Sequence, residues 1–277
     1  MLGLALTGAV STSYAGPFIL AGTDADDHGS VSGGVNQDGW FFMQRALENL
    51  APNVTNGNKQ LVILGSNVGT KAELAALSAF NLSSLKLVNG WTVTTVNDAA
   101  LNTFLDGGLV GAGIVIMDSG SNVSGGATAT ERGYFTTHAA KINSFLGAGG
   151  GLFSQANGYA WVQALVPGLT VTGLQTTGLA LTADGNAAFP GLTNADLSAG
   201  PWHNYFTNTG NLPILATSST LSTPRAVILG AVGGSITNPN LDPDPQGVPD
   251  SGSFLIAYLA LGALFFASRR HAVKRVA

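Results

Sequence analysis

Short apolar segments alternate with amphipathic ones through much of the chain, and this alternation restricts the folds open to it. PFILAG (17–22), QLVILG (60–65) and GIVIM (113–117) are too short for helices and have no polar face, as is typical of strands buried on both sides. Between them lie helical patterns such as DGWFFMQRALENL (38–50). Because such strands and helices alternate, the sequence predicts right-handed βαβ units, a mainly parallel sheet and an α/β fold.

The same patterns predict further elements along residues 16–236. Helices are expected at about 70–80, 98–105, 128–146 and 158–165, and strands at 91–95 and 152–154. The glycine run 147–151 suits the end of the long helix and a tight return. The later part is richer in strand patterns, at 169–172, 179–182, 213–217 and 226–230. We therefore expect one globular α/β domain over residues 16–236.

Charge and cysteine content exclude several classes of function. Four of the 11 basic residues lie in the last nine positions, and all 15 acidic residues lie at or before Asp250. The body is therefore negatively charged, and we expect no nucleic-acid partner. The chain has no cysteine, which excludes disulfides, zinc–thiolate sites and a cysteine nucleophile.

The first 15 residues have features of a secretory signal peptide. An apolar run from Leu2 to Val10 leads to Ser13 and Ala15, small residues at positions −3 and −1 before Gly16. The usual positive segment ahead of the apolar run is missing. Either translation starts upstream of Met1, or this segment is the first strand of the domain; we interpret 1–15 as a signal peptide.

The C-terminal region has the features of a membrane anchor. Residues 251–268 carry no charge, and 18 residues of helix are about 27 Å long, enough to cross a hydrocarbon core. We predict a single transmembrane helix at 253–268. The basic tail that follows it stays on the cytoplasmic side and contains Arg269, Arg270, Lys274 and Arg275. A buried helix of a soluble protein is the alternative, and it fits poorly with basic residues directly after it. The proline-rich segment 237–247 is expected to be a semi-rigid linker.

A short motif stands immediately before this apolar helix. Val248, Pro249, Asp250, Ser251 and Gly252, followed by the helix and the Arg269–Arg270 pair, resemble the VPDSG variant of the PEP-CTERM sorting signal of Gram-negative envelopes. The resemblance covers residues 248–277 and implies an exosortase-type transpeptidase as partner. It also implies export, anchoring in the inner membrane with the domain on the periplasmic side, and processing to the cell envelope or surface. A GPI signal fits less well, because the polar spacer is missing and the end is basic.

The order of elements in the body is similar to the class I glutamine amidotransferase-like fold, a flavodoxin-like three-layer sandwich. The segment GAGGGLFSQANG (147–158) resembles the region where those proteins turn from a strand into the nucleophile-bearing elbow. That nucleophile is a cysteine, which this chain lacks, and Ser154 is the nearest positional substitute. Its neighbours Leu152 and Ala156 do not match the glycines of a G-x-S-x-G elbow. Ser154 is thus a weak candidate nucleophile, the alternative being an ordinary serine at a strand end.

An acidic loop, DADDHG (24–29), follows the first strand. In a doubly wound sheet this is the carboxyl edge, where ligands gather. The loop begins like a calcium-binding EF-hand, but Val35 stands where the bidentate glutamate is required. A looser divalent-cation site would use Asp24, Asp26, Asp27 and His28. The alternative is a loop whose aspartates cap turns, with no cofactor.

His203 lies among aromatic residues in PWHNYF (201–206). Such a histidine can be a catalytic base, a sugar-contacting residue or a core histidine with satisfied ring nitrogens. If the loops meet at the sheet edge, His203 and Ser154 share a cleft with Asp26, Asp27 and His28.

Two functions of different class follow. The preferred one is a non-catalytic exported protein with a role at the surface or in the extracellular matrix, where polysaccharide is a candidate partner. The alternative is a hydrolase or carbohydrate-active enzyme with its site at the carboxyl edge. The enzyme predicts a cleft in which His203 has an acidic partner, whereas the non-catalytic protein predicts a packed His203.

Overall fold

The computed structural model describes residues 16–120 and 124–231, which lie within one compact unit, Met1–Asn240. The predicted signal peptide (1–15), the linker (237–247) and the sorting signal with its transmembrane helix (248–277) lie outside the described residues. Within the described ranges, no helix combines the length and apolar character needed to span a bilayer.

The described residues form two sheets. Their strands are β1 (Phe18–Ala21), β2 (Gly29–Ser32), β3 (Val35–Asp38), β4 (Gln60–Leu64), β5 (Thr92–Val96), β6 (Ile114–Met117), β7 (Gly151–Ser154), β8 (Thr170–Thr176), β9 (Leu179–Leu181), β10 (Trp202–Thr207), β11 (Ile214–Ser218) and β12 (Ala226–Ala231).

The helices lie mainly between the strands of the parallel part. They are α1 (Gly39–Leu50), α2 (Lys71–Asn81), α3 (Ser84–Leu87), α4 (Asp98–Gly107), α5 (Ala129–Thr137), α6 (Ala139–Gly147), α7 (Val162–Leu165), α8 (Ala183–Ala188) and α9 (Asn194–Leu197), with 3₁₀ turns at Ala51–Asn53 and Gly108–Gly111.

The main sheet has a parallel centre and an antiparallel extension. Its strand order is β5-β4-β6-β7-β1-β12-β10-β8, and the first five strands pair in parallel. β12 runs antiparallel to β1 and pairs on its other side with both β10 and β11. β2 and β3 form a separate antiparallel hairpin. The protein therefore has a mixed α/β fold with a mostly parallel central sheet, which confirms the predicted class.

Apolar side chains cover both faces of the sheet because neighbouring residues in a strand point to opposite sides. In β4, Leu61 and Ile63 pack in one apolar cluster with residues of α1 and α2. Val62 and Leu64 pack in a second cluster with residues of α4, α5 and α6. Both faces are buried, so the segments read as continuous apolar runs in the sequence.

Three sequence expectations need correction. The single helix predicted at 128–146 is two helices that meet at His138, whose φ of −101° and ψ of 16° are not helical. Thr136 and Thr137 each donate a hydroxyl hydrogen bond to the carbonyl four residues earlier, a contact that bends helices. The helix predicted at 158–165 is only the short α7. The hairpin β2–β3 was missed, since its strands GSVS and VNQD are mostly polar. Strand β10 was missed because its aromatic residues, in WHNYFT, form neither a continuous apolar run nor a regular alternation.

Candidate functional site

Buried polar side chains gather where the parallel strands β1, β4, β6 and β7 end. All of them are at most 4 % exposed, and burial of this kind requires hydrogen bonds. We call this group the carboxyl-edge cluster; it consists of Thr23, Asp24, Asp26, Ser66, Asp118, Ser119, Ser154, Gln155 and Asn157.

Asp26 and Asp118 form a carboxyl pair inside this cluster. Asp118 Oδ2 accepts a hydrogen bond of 2.8 Å from the Ser66 hydroxyl, and its Oδ1 accepts one of 2.8 Å from the backbone N–H of Ser119. Burial raises the pKa of Asp118 to about 6 and that of Asp26 well above its usual value, the latter also through the charge of Asp118. The hydrogen bond between the two side chains favours the charged form of Asp118 and the neutral form of Asp26. The proton that the pair retains therefore lies on Asp26, with Asp118 as the acceptor.

Asp24 lies between two histidines. His203 Nε2 is 2.9 Å from Asp24 Oδ2, and His28 Nε2 is 3.6 Å from the same oxygen. Burial raises the pKa of Asp24, while the two imidazoles oppose this shift. The side chain of His203 is 16 % exposed and that of His28 is 33 % exposed. The arrangement can hold or move a proton at Oδ2, and the second histidine keeps the site partly open to solvent.

Strand β10 brings His203 to this place by crossing the end of β1. The N–H of His203 donates to the carbonyl of Gly22 at 2.7 Å. A Cβ on Gly22 would lie 1.9 Å from the carbonyl oxygen of Asn204, so only glycine permits this approach. Gly200 is equally restricted, since its Cβ would lie 2.2 Å from the ring of His28.

Ser154 belongs to a different part of the cluster. Its buried hydroxyl oxygen accepts a hydrogen bond of 2.9 Å from Asn157 Nδ2, and Asn157 Oδ1 accepts one of 3.1 Å from Trp161 Nε1. Tyr159 donates its hydroxyl to the carbonyl of Ser154 at 3.0 Å, and burial raises the pKa of this tyrosine. In the part of the chain that the structure describes, the Ser154 hydroxyl makes no hydrogen bond with His203. The structure thus does not join these two residues as a nucleophile and its base.

The four candidate metal ligands point to different neighbours. Asp24 faces the histidines, Asp26 faces Asp118, and Asp27 and His28 are only half-buried. Across residues 16–120 and 124–231, no group of three or more histidine, aspartate or glutamate side chains is arranged to hold a metal ion.

The open space at the cluster is small. A cavity of about 10 Å³ lies beside Thr23, Asp24 and His28, the size of a single water molecule. Thr23 Oγ1, Asp24 Oδ1 and Gln155 Nε2 are buried with no hydrogen-bond partner among the described residues. A much larger cavity, about 470 Å³, lies elsewhere, beside Leu105, Phe145 and the Asp106–Lys141 ion pair. The cavity beside Asp24 is therefore too small for a substrate of the size of a sugar.

The sequence contained a signal for the residues that were missed. Ser66, Asp118 and Gln155 come within two residues of the ends of β4, β6 and β7. Because parallel strands end at one edge, the first polar residues after each predicted strand could have been grouped without a structure.

Comparisons with protein-family models, curated proteins and solved structures give no match to this chain.

Proposed function

We propose that this chain is an exported envelope protein with a non-catalytic role at the cell surface or in the extracellular matrix. The observation that carries the non-catalytic part is the burial of Ser154 at the carboxyl edge of the sheet. The hydroxyl of Ser154 is fully buried and engaged by Asn157, and the adjacent cavity holds about 10 Å³. An active site at this edge needs an exposed reactive group and space for a substrate.

The strand order of the sheet also supports a non-catalytic role. Strands β5-β4-β6-β7 follow the order 2-1-3-4 of a flavodoxin-like sandwich, and β1 occupies the fifth position. Ligands in such sheets bind where the strand order reverses, which here is between β4 and β6. Ser66 and Asp118 lie at that point and are hydrogen-bonded to each other at 2.8 Å. This supports a flavodoxin-like, amidotransferase-like fold that has lost its reactive centre.

The sorting part of the proposal is supported by the sequence alone. A VPDSG motif at 248–252, an uncharged segment long enough to span a membrane and a basic tail follow one another without a gap. The proposed route is export, insertion in the inner membrane with the domain on the periplasmic side, and processing by an exosortase-type transpeptidase. Extracellular polysaccharide is the proposed environment of the mature domain.

The intact mass of the protein recovered from its host envelope tests this route. We expect a mature form that begins at Gly16 and ends within 248–252. Changing Asp250→Ala should block the C-terminal cleavage and leave removal of 1–15 unaffected. A mature wild-type protein that retains Ala277 contradicts the processing and leaves a plain membrane anchor.

A hydrolase or carbohydrate-active enzyme is the second candidate, favoured by the contact between His203 and Asp24. His203 Nε2 lies 2.9 Å from the buried Asp24 Oδ2, a separation that suits a general base beside its orienting carboxylate, although Nε2 makes no hydrogen bond among the described residues. To test it, purified protein is incubated with polysaccharide from the host envelope, and newly formed reducing ends are measured. Release of reducing ends that His203→Ala abolishes and His138→Ala leaves unchanged supports this candidate and overturns the non-catalytic one.

A further inference from the structure

Strand β5 is an edge strand that has none of the usual protection against pairing. Among the described residues it pairs only with β4, and its sequence TVTTV contains no charge and no proline. All five of its residues are in regular parallel register with β4, so no bulge bends it away. Natural sheet edges are normally protected by charges, prolines or bulges.

The opposite edge of the sheet shows such protection. Between Trp202 and Asn204 of β10, the partner β8 advances from Thr176 to Gly173, so β8 has one extra residue there. This is a β-bulge, which disrupts the free edge of β8. The free edge of β5 is therefore regular whereas that of β8 is not, and β5 can accept a further strand.

The free hydrogen-bonding groups of β5 can be assigned. The N–H of Thr92 donates to Lys59 and the carbonyl of Val96 accepts from Gly65, both on the β4 side. Because backbone groups of alternate residues in a strand point in opposite directions, Thr94 also faces β4, whereas Val93 and Thr95 present their N–H and C=O groups outward.

We propose that β5 pairs antiparallel with β5 of a second copy of this chain, with a two-fold axis passing between the two Thr94 residues. In this register Val93 lies opposite the partner's Thr95 and exchanges both hydrogen bonds with it. The symmetry doubles this to four intermolecular hydrogen bonds. Thr94 then faces the partner's Thr94 as a non-hydrogen-bonded pair, with Cα atoms about 4.5 Å apart.

Charge and apolar exposure at the ends of β5 suit a second copy better than an unrelated strand. Lys59, which directly precedes β4 and whose Nζ donates to the carbonyl of Asn89, is exposed beside the start of β5, and Asp98 is exposed directly after the end of β5. Antiparallel pairing places the partner's Asp98 opposite Gly90, at the end of β5 where Lys59 lies. Leu87 and Val88, which are 68 % and 79 % exposed on the segment leading into β5, come to lie against the same end of the partner.

A cysteine cross-link tests this register directly, because the full chain has no cysteine of its own. In the full-length protein in its host membrane, Thr94→Cys should give a disulfide-linked dimer on mild oxidation, since the opposed Cα atoms lie within disulfide range. Thr92→Cys is the matched control. Two copies of that residue lie about 14 Å apart in the proposed register and should stay monomeric.

A double variant distinguishes disulfides formed in the proposed register from disulfides formed when two molecules collide at random. Thr92→Cys combined with Val96→Cys places each new cysteine opposite the other type in the partner, so dimers should form again. Thr172→Cys on β8 controls for any exposed edge and should not cross-link. The proposal would be overturned if Thr94→Cys, Thr92→Cys and Thr172→Cys cross-linked equally. It would also be overturned if neither Thr94→Cys nor the double variant cross-linked.

A second measurement does not depend on disulfide chemistry. Thr94→Lys puts two like charges directly opposite each other and should weaken the dimer about fivefold in sedimentation of the detergent-solubilised chain. Thr94→Val keeps the strand propensity and should leave the dimer unchanged. If Thr94→Lys and Thr94→Val have the same monomer–dimer equilibrium, the proposed pairing of β5 with β5 is contradicted.

Discussion

The imidazole of His203 lies 2.9 Å from the carboxylate of Asp24, which joins the loop after β1 to strand β10. β1 is the last parallel strand of the sheet and β10 belongs to its antiparallel extension. Asp24 is buried, and its carboxylate would be costly to keep ionised without polar partners. The contact therefore stabilises the junction between the two parts of the sheet.

Changing His203→Ala should lower the free energy of unfolding by about 1–3 kcal/mol at pH 7, because it leaves a buried carboxylate with only His28 nearby. The loss should shrink as the pH falls, since burial raises the pKa of Asp24 and its protonated carboxyl depends less on His203. Urea denaturation at pH 7 and at pH 4 measures both values. His138→Ala, which removes a ring bonded only to the carbonyl of Tyr134, is the control. An equal loss for His203→Ala at the two pH values would show that the contact is packing alone.

We expect the Asp26–Asp118 pair to contribute more to the free energy of unfolding in mild acid than at neutral pH. The pKa of Asp118 is raised from 3.8 to about 6 by burial, so between these values the folded state keeps a proton that the unfolded state has lost. The free energy of unfolding contributed by Asp118 therefore falls as the pH rises through this window, and that contributed by Asp26 continues to fall above it for as long as Asp26 keeps its proton.

Asp118→Asn should reduce this pH dependence between pH 4 and 6, because the amide does not titrate, while its oxygen and N–H groups can still hydrogen-bond with Ser66 and Asp26. Denaturant titrations from pH 4 to pH 8 measure the slope. Asp106→Asn is the control: this exposed residue pairs with Lys141, its pKa is lowered, and its contribution is lost only below the window. A slope between pH 4 and 6 that Asp118→Asn leaves unchanged would contradict a shared proton.

How far the sequence predicts the fold depends on how each element is buried. The strands β1, β4 and β6 lie within a residue or two of their predicted bounds, because both of their faces are covered and every residue except Gln60 is apolar. The hairpin strand β2 is almost wholly exposed, and its sequence GSVS carries no such signal. Its position comes from pairing with β3, which is a tertiary property.

The site was predictable in position but not in its pairings. The carboxyl edge could be located from the strands, and Asp24, Asp26 and His203 lie there. The sequence could not show that Asp26 faces Asp118 or that His203 faces Asp24, because these contacts depend on the strand order and on where β10 crosses β1.

Ser154→Ala separates a structural serine from a nucleophile. The hydroxyl accepts a single side-chain hydrogen bond, from Asn157, so its loss should cost about 1 kcal/mol in the free energy of unfolding. Asn157→Ala should cost more, because it also leaves the indole N–H of the buried Trp161 without its acceptor. Thermal unfolding of the two variants checks this order. A Ser154→Ala protein of wild-type stability that has lost a measurable hydrolytic activity would instead identify Ser154 as a reactive group.

Gly39 tests how closely the loop after β1 packs on the start of α1. A Cβ at this position would lie 2.3 Å from the carbonyl oxygen of Ala25 and 2.5 Å from that of His28. Backbone cannot give way as a flexible side chain can, so Gly39→Ala should destabilise the protein by about 3 kcal/mol or more and disturb the Asp24 loop. Gly133→Ala is the matched control, because Gly133 lies within α5 with nothing near its Cβ position. It should stabilise the protein by about 0.5–1 kcal/mol through helix propensity, and chemical denaturation of both variants measures the contrast. A Gly39→Ala protein as stable as wild type would mean that the loop can move away from α1 at little cost, and the fixed placement of Asp24 beside His203 would then be in doubt.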